Sequence, residues 1–118
     1  MGSVYLTNAF SLNMLEPKTA AATFKPISVE EAKKLLTEEG FVSFVSHGST
    51  AQVLRKLLGL EVEVNRSNLV LKDGVLLVVF QLSVRPREGQ VFTEKELEEI
   101  AARGLYRFWL VRVCYAAP

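Results

Sequence analysis

The chain has a single cysteine, Cys114, and a single histidine, His47, in its 118 residues. One cysteine excludes an internal disulfide, and one cysteine with one histidine leaves no set of soft ligands for a zinc site. Charge of either sign is nearly balanced, at 14 basic and 13 acidic residues for a net +1, so no broad basic surface is available to hold duplex nucleic acid or an anionic membrane. No apolar run approaches the roughly 18 residues of a membrane-spanning helix. No basic segment leads into an apolar one near the start, so the expected compartment is the cytosol. No P-loop, GxGxxG, HExxH or nucleophile-elbow pattern is present, nor any repeat or low-complexity stretch.

What is present is the composition of an ordinary globular domain, 49% hydrophobic and 23% charged, at a length suited to one core spanning residues 1–118. The organising stretch runs from Phe41 to Gly59. Phe41, Val42, Phe44 and Val45 read as a buried strand. Ser49 with Gln52 three residues later reads as a capping box, and Val53, Leu54, Leu57 and Leu58 recur at helical spacing before Gly59. The one histidine therefore falls where a strand hands over to a helix N-terminus. Free backbone N–H groups and the positive end of the helix dipole attract anions such as phosphate there. An imidazole beside such a site suits phosphoester chemistry. The plainer alternative is a histidine that caps a loop by hydrogen bonding.

Along the chain, Val4 to Phe10 is strand-like and ends in a polar cluster, Asn8, Ser11 and Asn13. Such clusters are ordinary capped turns, and they are also where open α/β sheets bind ligands. Ala20 to Lys25 reads as a short strand that Pro26 keeps from a central place. Ser28 and Glu31, then Thr93 and Glu96, form capping boxes for two more helices. Leu60 to Val64 alternates as a half-exposed strand, and Leu69–Leu71 with Val75–Leu82 reads as a hairpin turning at Asp73-Gly74. Val75 to Phe80 is apolar throughout and is expected to lie centrally. The final strand, Leu105 to Tyr115, puts Tyr106, Phe108 and Leu110 on one face and Trp109, Val111 and Val113 on the other, which points to burial on both sides, including against another subunit. Cys114 reads as core. The polar loop 83–90 carries Arg85, able to hold phosphate oxygens in a bidentate fork, and Glu88, able to orient a hydroxyl. The expected fold is α/β: one domain, a mixed β-sheet flanked by about three helices.

Three segments in this order, VYLTNAFSLNML (4–15), SHGST (46–50) and SVRPREGQ (83–90), resemble one family. It is the small ring-nuclease family first found as viral anti-CRISPR proteins directed at type III systems and present also in prokaryotic genomes. The resemblance implies a homodimer that binds cyclic tetra-adenylate across its dyad and cuts it to linear di-adenylate without a metal or cofactor. By matching positions, His47 resembles the general acid, Arg85 the residue that stabilises charge on the scissile phosphate, and Glu88 a carboxylate that orients the site. Asn8, Ser11, Asn13, Arg66 and Gln81 match ligand-contacting positions, with Gly48, Ser49 and Thr50 at the helix start. The chain departs from the pattern at Gly48, where members often carry Asp. It departs again at Val84, at Pro86 and Arg87 in place of a Leu-Glu pair, and at Gln90 in place of Lys. A protein that only sequesters the cyclic nucleotide is the alternative; a general nucleic-acid-binding protein fits the near-neutral charge poorly.

Overall fold

Two of the three helices are launched by reciprocal caps. In the computed structural model, which describes residues 4–86 and 88–116, the Ser28 hydroxyl accepts the Glu31 N–H at 3.0 Å while Glu31 accepts the Ser28 N–H at 3.1 Å. Thr93 and Glu96 repeat the arrangement. These boxes open α1, Val29–Glu39, and α3, Glu94–Ala102. The helix between them, α2 at Gly48–Leu58, ends on Gly59 in the left-handed region at φ 66°, a conformation that favours glycine. Its start differs from the sequence expectation. The helix begins before Ser49, His47 is the N-cap, and no side chain caps it.

The capping bonds hold the Glu31 and Glu96 carboxyls below their ordinary value of 4.5, chiefly through the backbone N–H of Ser28 and Thr93. A carboxyl with a depressed folded-state pKa contributes stability above that ordinary value and loses it as the pH falls through the lowered one. Ser28→Ala and Thr93→Ala are each expected to cost about 1 kcal/mol at neutral pH. Glu31→Gln and Glu96→Gln, which remove the titrating carboxyls, should flatten the loss of stability below 4.5. Urea unfolding followed across the acid range measures both effects.

Five strands form one sheet in the order β2-β5-β4-β1-β3. They are β1 (Val4–Thr7), β2 (Ala20–Ile27), β3 (Val42–Ser43), β4 (Leu76–Leu82) and β5 (Tyr106–Tyr115). β1 runs parallel to both β3 and β4, while β5 is antiparallel to β4 and β2. The C-terminal ends of β1, β3 and β4 therefore leave the same edge, where open sheets of this kind bind ligands. β4 is central and mostly buried, as its apolar run requires. β5 divides its side chains as the alternation indicates. Phe108, with Tyr106 and Leu110, joins Phe80, Leu6, Leu36, Leu54, Leu58 and Leu97 in the core beneath the helices. Val111 and Val113, with Trp109 and Tyr115, join Leu71, Val75 and Leu77 on the opposite face. Loops rather than helices cover part of that face. The Tyr115 hydroxyl ties them down by donating to the Leu71 carbonyl at 2.8 Å and accepting the Glu16 N–H at 2.9 Å. Among the described residues no helix is long and apolar enough to cross a membrane.

Five local expectations are corrected. β2 runs past the expected end at Lys25 to Ile27, while its place at the sheet edge, with only β5 beside it, is the one expected from Pro26. Leu60–Val64 forms no strand beyond a single bridge from Val64 to Val45. Side chains replace the ladder there: the Ser43 hydroxyl donates to the Glu63 carbonyl, and the Asn65 amide donates to the Ser43 carbonyl. The Asp73-Gly74 turn exists, with Gly74 at φ 79°, but its arms do not pair. Both edges of β4 are taken by β1 and β5, so Leu71 N–H donates instead to the Met14 carbonyl at 2.7 Å. Finally, β3 is a two-residue edge strand with Val42 51% exposed, and Cys114 is exposed rather than core because β5 outruns the helices that cover its other end.

Candidate functional site

The polar site is built around Ser46, the residue before the α2 N-cap. β1 ends at Thr7, whose hydroxyl donates to the Ala9 carbonyl and turns the chain. The next residue, Asn8, offers its side-chain oxygen to both the Ser46 N–H, at 3.2 Å, and the Ser46 hydroxyl, at 3.4 Å. From the other side Arg66 Nε donates to the Ser46 carbonyl at 2.9 Å. Asn65 anchors that arm, its N–H donating to the Val45 carbonyl at 2.8 Å and its own carboxamide oxygen accepting the Ser67 N–H. Ser46 is thus held from both flanks, and this fixes where the chain enters α2.

His47 follows with extended backbone, φ −122° and ψ 133°, and an exposed side chain. Gly48, Ser49 and Thr50 form the first helical positions. The first bond of the helix is Ala51 N–H to the His47 carbonyl, at 3.0 Å, so the three amides before it have no intrahelical acceptor. The Thr50 side chain is buried and Ser49 is half-buried, so these residues can offer a ligand their backbone N–H groups more readily than their hydroxyls. At Gly48 a side chain would meet nothing within 4 Å, so glycine is not there for want of space.

A cleft of about 450 Å³ opens beside this clamp, lined by Asn8, Ser11, Asn13, Ser46, Arg66 and Asn68 among others. Arg66 is exposed, and among the described residues no carboxylate lies within ion-pair distance of it. Such a guanidinium suits an anionic ligand, while His47, Gly48, Ser49 and Thr50 do not themselves line this cleft. Asn8, Ser11, Asn13 and Arg66 therefore share one cleft, and His47 adjoins it through Ser46.

The remaining candidates lie elsewhere in the subunit. Arg85 lines a separate hollow of about 210 Å³ with Pro86, Gln90, Phe92 and Glu96. Glu88 is exposed in the turn that follows, and Arg87 lies outside the described residues. Neither Arg85 nor Glu88 lines the polar cleft. Gln81 lines a third feature, an open apolar groove of about 400 Å³ on the face opposite the three α-helices, with Phe10, Phe24, Val79, Trp109 and Val111. Asn8 and Ala9 line both groove and polar cleft, so the two adjoin. Ser46 and Trp109 are the contributors that sequence reasoning passed over. Ser46 stands inside the SHGST segment, but its bond to Asn8 spans 38 residues and has no local signal.

A profile of the STIV B116-like family matches residues 4–104. The chain is 36% identical over 111 residues to "uncharacterized protein 26" of Sulfolobus islandicus filamentous virus, covering 93% of this chain and 91% of that protein. It is 33% identical over 87 residues to "uncharacterized protein YddF" of Bacillus subtilis, covering 72% and 77%. Among solved structures, B116 of Sulfolobus turreted icosahedral virus superposes with a TM-score of 0.73 at 30% identity, covering 94% of this chain and 99% of that one.

Proposed function

The chain belongs to the STIV B116-like family, and from that premise we propose that it is a metal-independent ring nuclease. It binds cyclic tetra-adenylate across a homodimer and cleaves it to linear di-adenylate, switching off type III CRISPR signalling. The observation that carries this reading is the exposed His47 at the side-chain-uncapped start of α2, directly after Ser46, whose carbonyl accepts from an Arg66 that has no carboxylate at ion-pair distance among the described residues. The segments that resemble ring nucleases supply the substrate.

RNA cleavage of this type asks little of a protein. The ribose 2′-oxygen already sits beside its phosphate, so proximity is built into the ligand. As the 2′-oxygen bonds to phosphorus, the bond from phosphorus to the 5′-oxygen breaks. His47 as imidazolium gives its proton to that departing oxygen, and the 2′-hydroxyl proton passes to solvent. The phosphate is left as a 2′,3′-cyclic ester. Backbone N–H groups at the start of α2 and the Arg66 guanidinium offset charge on the phosphate oxygens. Arg85 and Glu88 take the charge-stabilising and orienting roles that the resemblance implies. They lie on the loop after β4, which leaves the same sheet edge as the cleft because β4 is parallel to β1.

A dimer suits the ligand, since an isologous pair offers two identical half-sites to a ring with two-fold symmetry. The apolar groove around Phe24, Val79 and Trp109 is the face we assign to the second copy. Because the groove adjoins the polar cleft, this pairing draws two clefts towards one axis. Two opposite cuts then give two dinucleotides.

The separation of Arg85 from the polar cleft favours a second reading, in which the protein only sequesters the ring. Product analysis decides between them. Incubation with cyclic tetra-adenylate, with and without a chelator, is expected to give linear di-adenylate at equal rates. Tight binding with the ring recovered intact would establish sequestration instead.

A further inference from the structure

We propose that Trp109 is a positioning residue for the ligand, acting through Gln81; this rests on the ring-nuclease reading. Trp109 is the only tryptophan in the chain. It lies half-buried on β5, opposite Val79 and diagonal to Gln81 on β4. Its indole Nε1–H donates to Gln81 Oε1 at 2.8 Å. An indole nitrogen can only donate, so it must meet the carboxamide oxygen and never the NH2 group. The bond therefore fixes which way the Gln81 amide is turned. Its Nε2, with two N–H donors, is left for a ligand acceptor such as an adenine ring nitrogen or a phosphate oxygen.

The placement supports this role. Gln81 is exposed near the C-terminal end of β4, and it lines the groove together with Asn8, which also lines the polar cleft. An exposed glutamine ordinarily samples several rotamers and both amide orientations, and ordering it on binding costs entropy. The tryptophan removes that disorder in advance. Burial alone does not explain the residue, since phenylalanine would cover the same strand without the hydrogen bond.

The test is a double-mutant cycle on cyclic tetra-adenylate turnover using wild type, Trp109→Phe, Gln81→Ala and the double variant. Loss of one neutral hydrogen bond corresponds to roughly a three- to tenfold effect. Each single variant is expected to raise KM by about that factor with kcat within about twofold, and the double variant should be no worse than Gln81→Ala. Light scattering on each variant reads self-association separately. Independent multiplication of the two KM effects, or an unchanged KM in Trp109→Phe, would overturn the proposal while leaving ring cleavage intact. If Trp109→Phe does not fold, Gln81→Glu serves in its place. Its carboxylate still accepts the indole N–H but donates nothing, so KM should rise, and an unchanged KM would overturn the proposal. Absence of any ring cleavage or binding by the wild-type protein would overturn the ring-nuclease reading and this one with it.

Discussion

His47→Ala is expected to slow cleavage of cyclic tetra-adenylate by about a hundredfold or more, the scale of a lost general acid. Binding should change little. The side chain is exposed, and it makes no capping bond to the helix it precedes. The fold therefore does not depend on it, and thermal unfolding of the variant should match wild type closely. The backbone that places it is independent of the ring, because the clamp acts on Ser46 through Asn8 and Arg66. Single-turnover cleavage with saturating protein separates the two effects. Cleavage at the wild-type rate would assign the proton to another group.

Phe80→Ala should have the largest effect on stability, about 3–5 kcal/mol. Phe80 is 2% exposed at the centre of β4, with ring centroids 5.7 Å from Tyr106 and 5.3 Å from Phe108. It belongs to the core that joins the sheet to all three helices. Truncation leaves a cavity where three aromatic rings now meet, and the sheet holding them cannot collapse to fill it. The expected cost is a large share of the roughly 5–15 kcal/mol that holds a domain of this size together. Denaturant unfolding monitored by circular dichroism measures it. A loss below about 1 kcal/mol would mean that the ring is not packed as described.

Much of this was legible in the chain, because the signals were local. Capping boxes at Ser28–Glu31 and Thr93–Glu96 need only a spacing of three, and both formed. The apolar run of β4 and the two-sided alternation of β5 found their expected places for the same reason. Expectations failed where pairing was decided at long range. Nothing within Leu69–Leu71 shows that β4 has no free edge, and nothing within Leu60–Val64 shows that side chains of Ser43 and Asn65 take the place of a ladder. The site divides in the same way. A histidine between strand and helix can be read directly, as can a polar cluster after the first strand. That Asn8 and Arg66 grip one serine from opposite sides, and that Trp109 turns Gln81, depend on contacts 20 to 38 residues apart in sequence. Ser49 misled because the Ser49–Gln52 spacing fits a cap, yet the helix is already under way there, starting at Gly48 with His47 as its N-cap.

The most direct measurement uses a cyclic tetra-adenylate whose scissile 5′-oxygens are replaced by bridging sulfur. A thiolate leaves without needing a proton, since thiols ionise near pH 8.5 and alcohols far higher. If His47 protonates the leaving group, wild type and His47→Ala should cleave this substrate at nearly the same rate, erasing the hundredfold difference expected on the natural ring. A difference of the same size on both substrates would show that the imidazole does something other than hand over that proton.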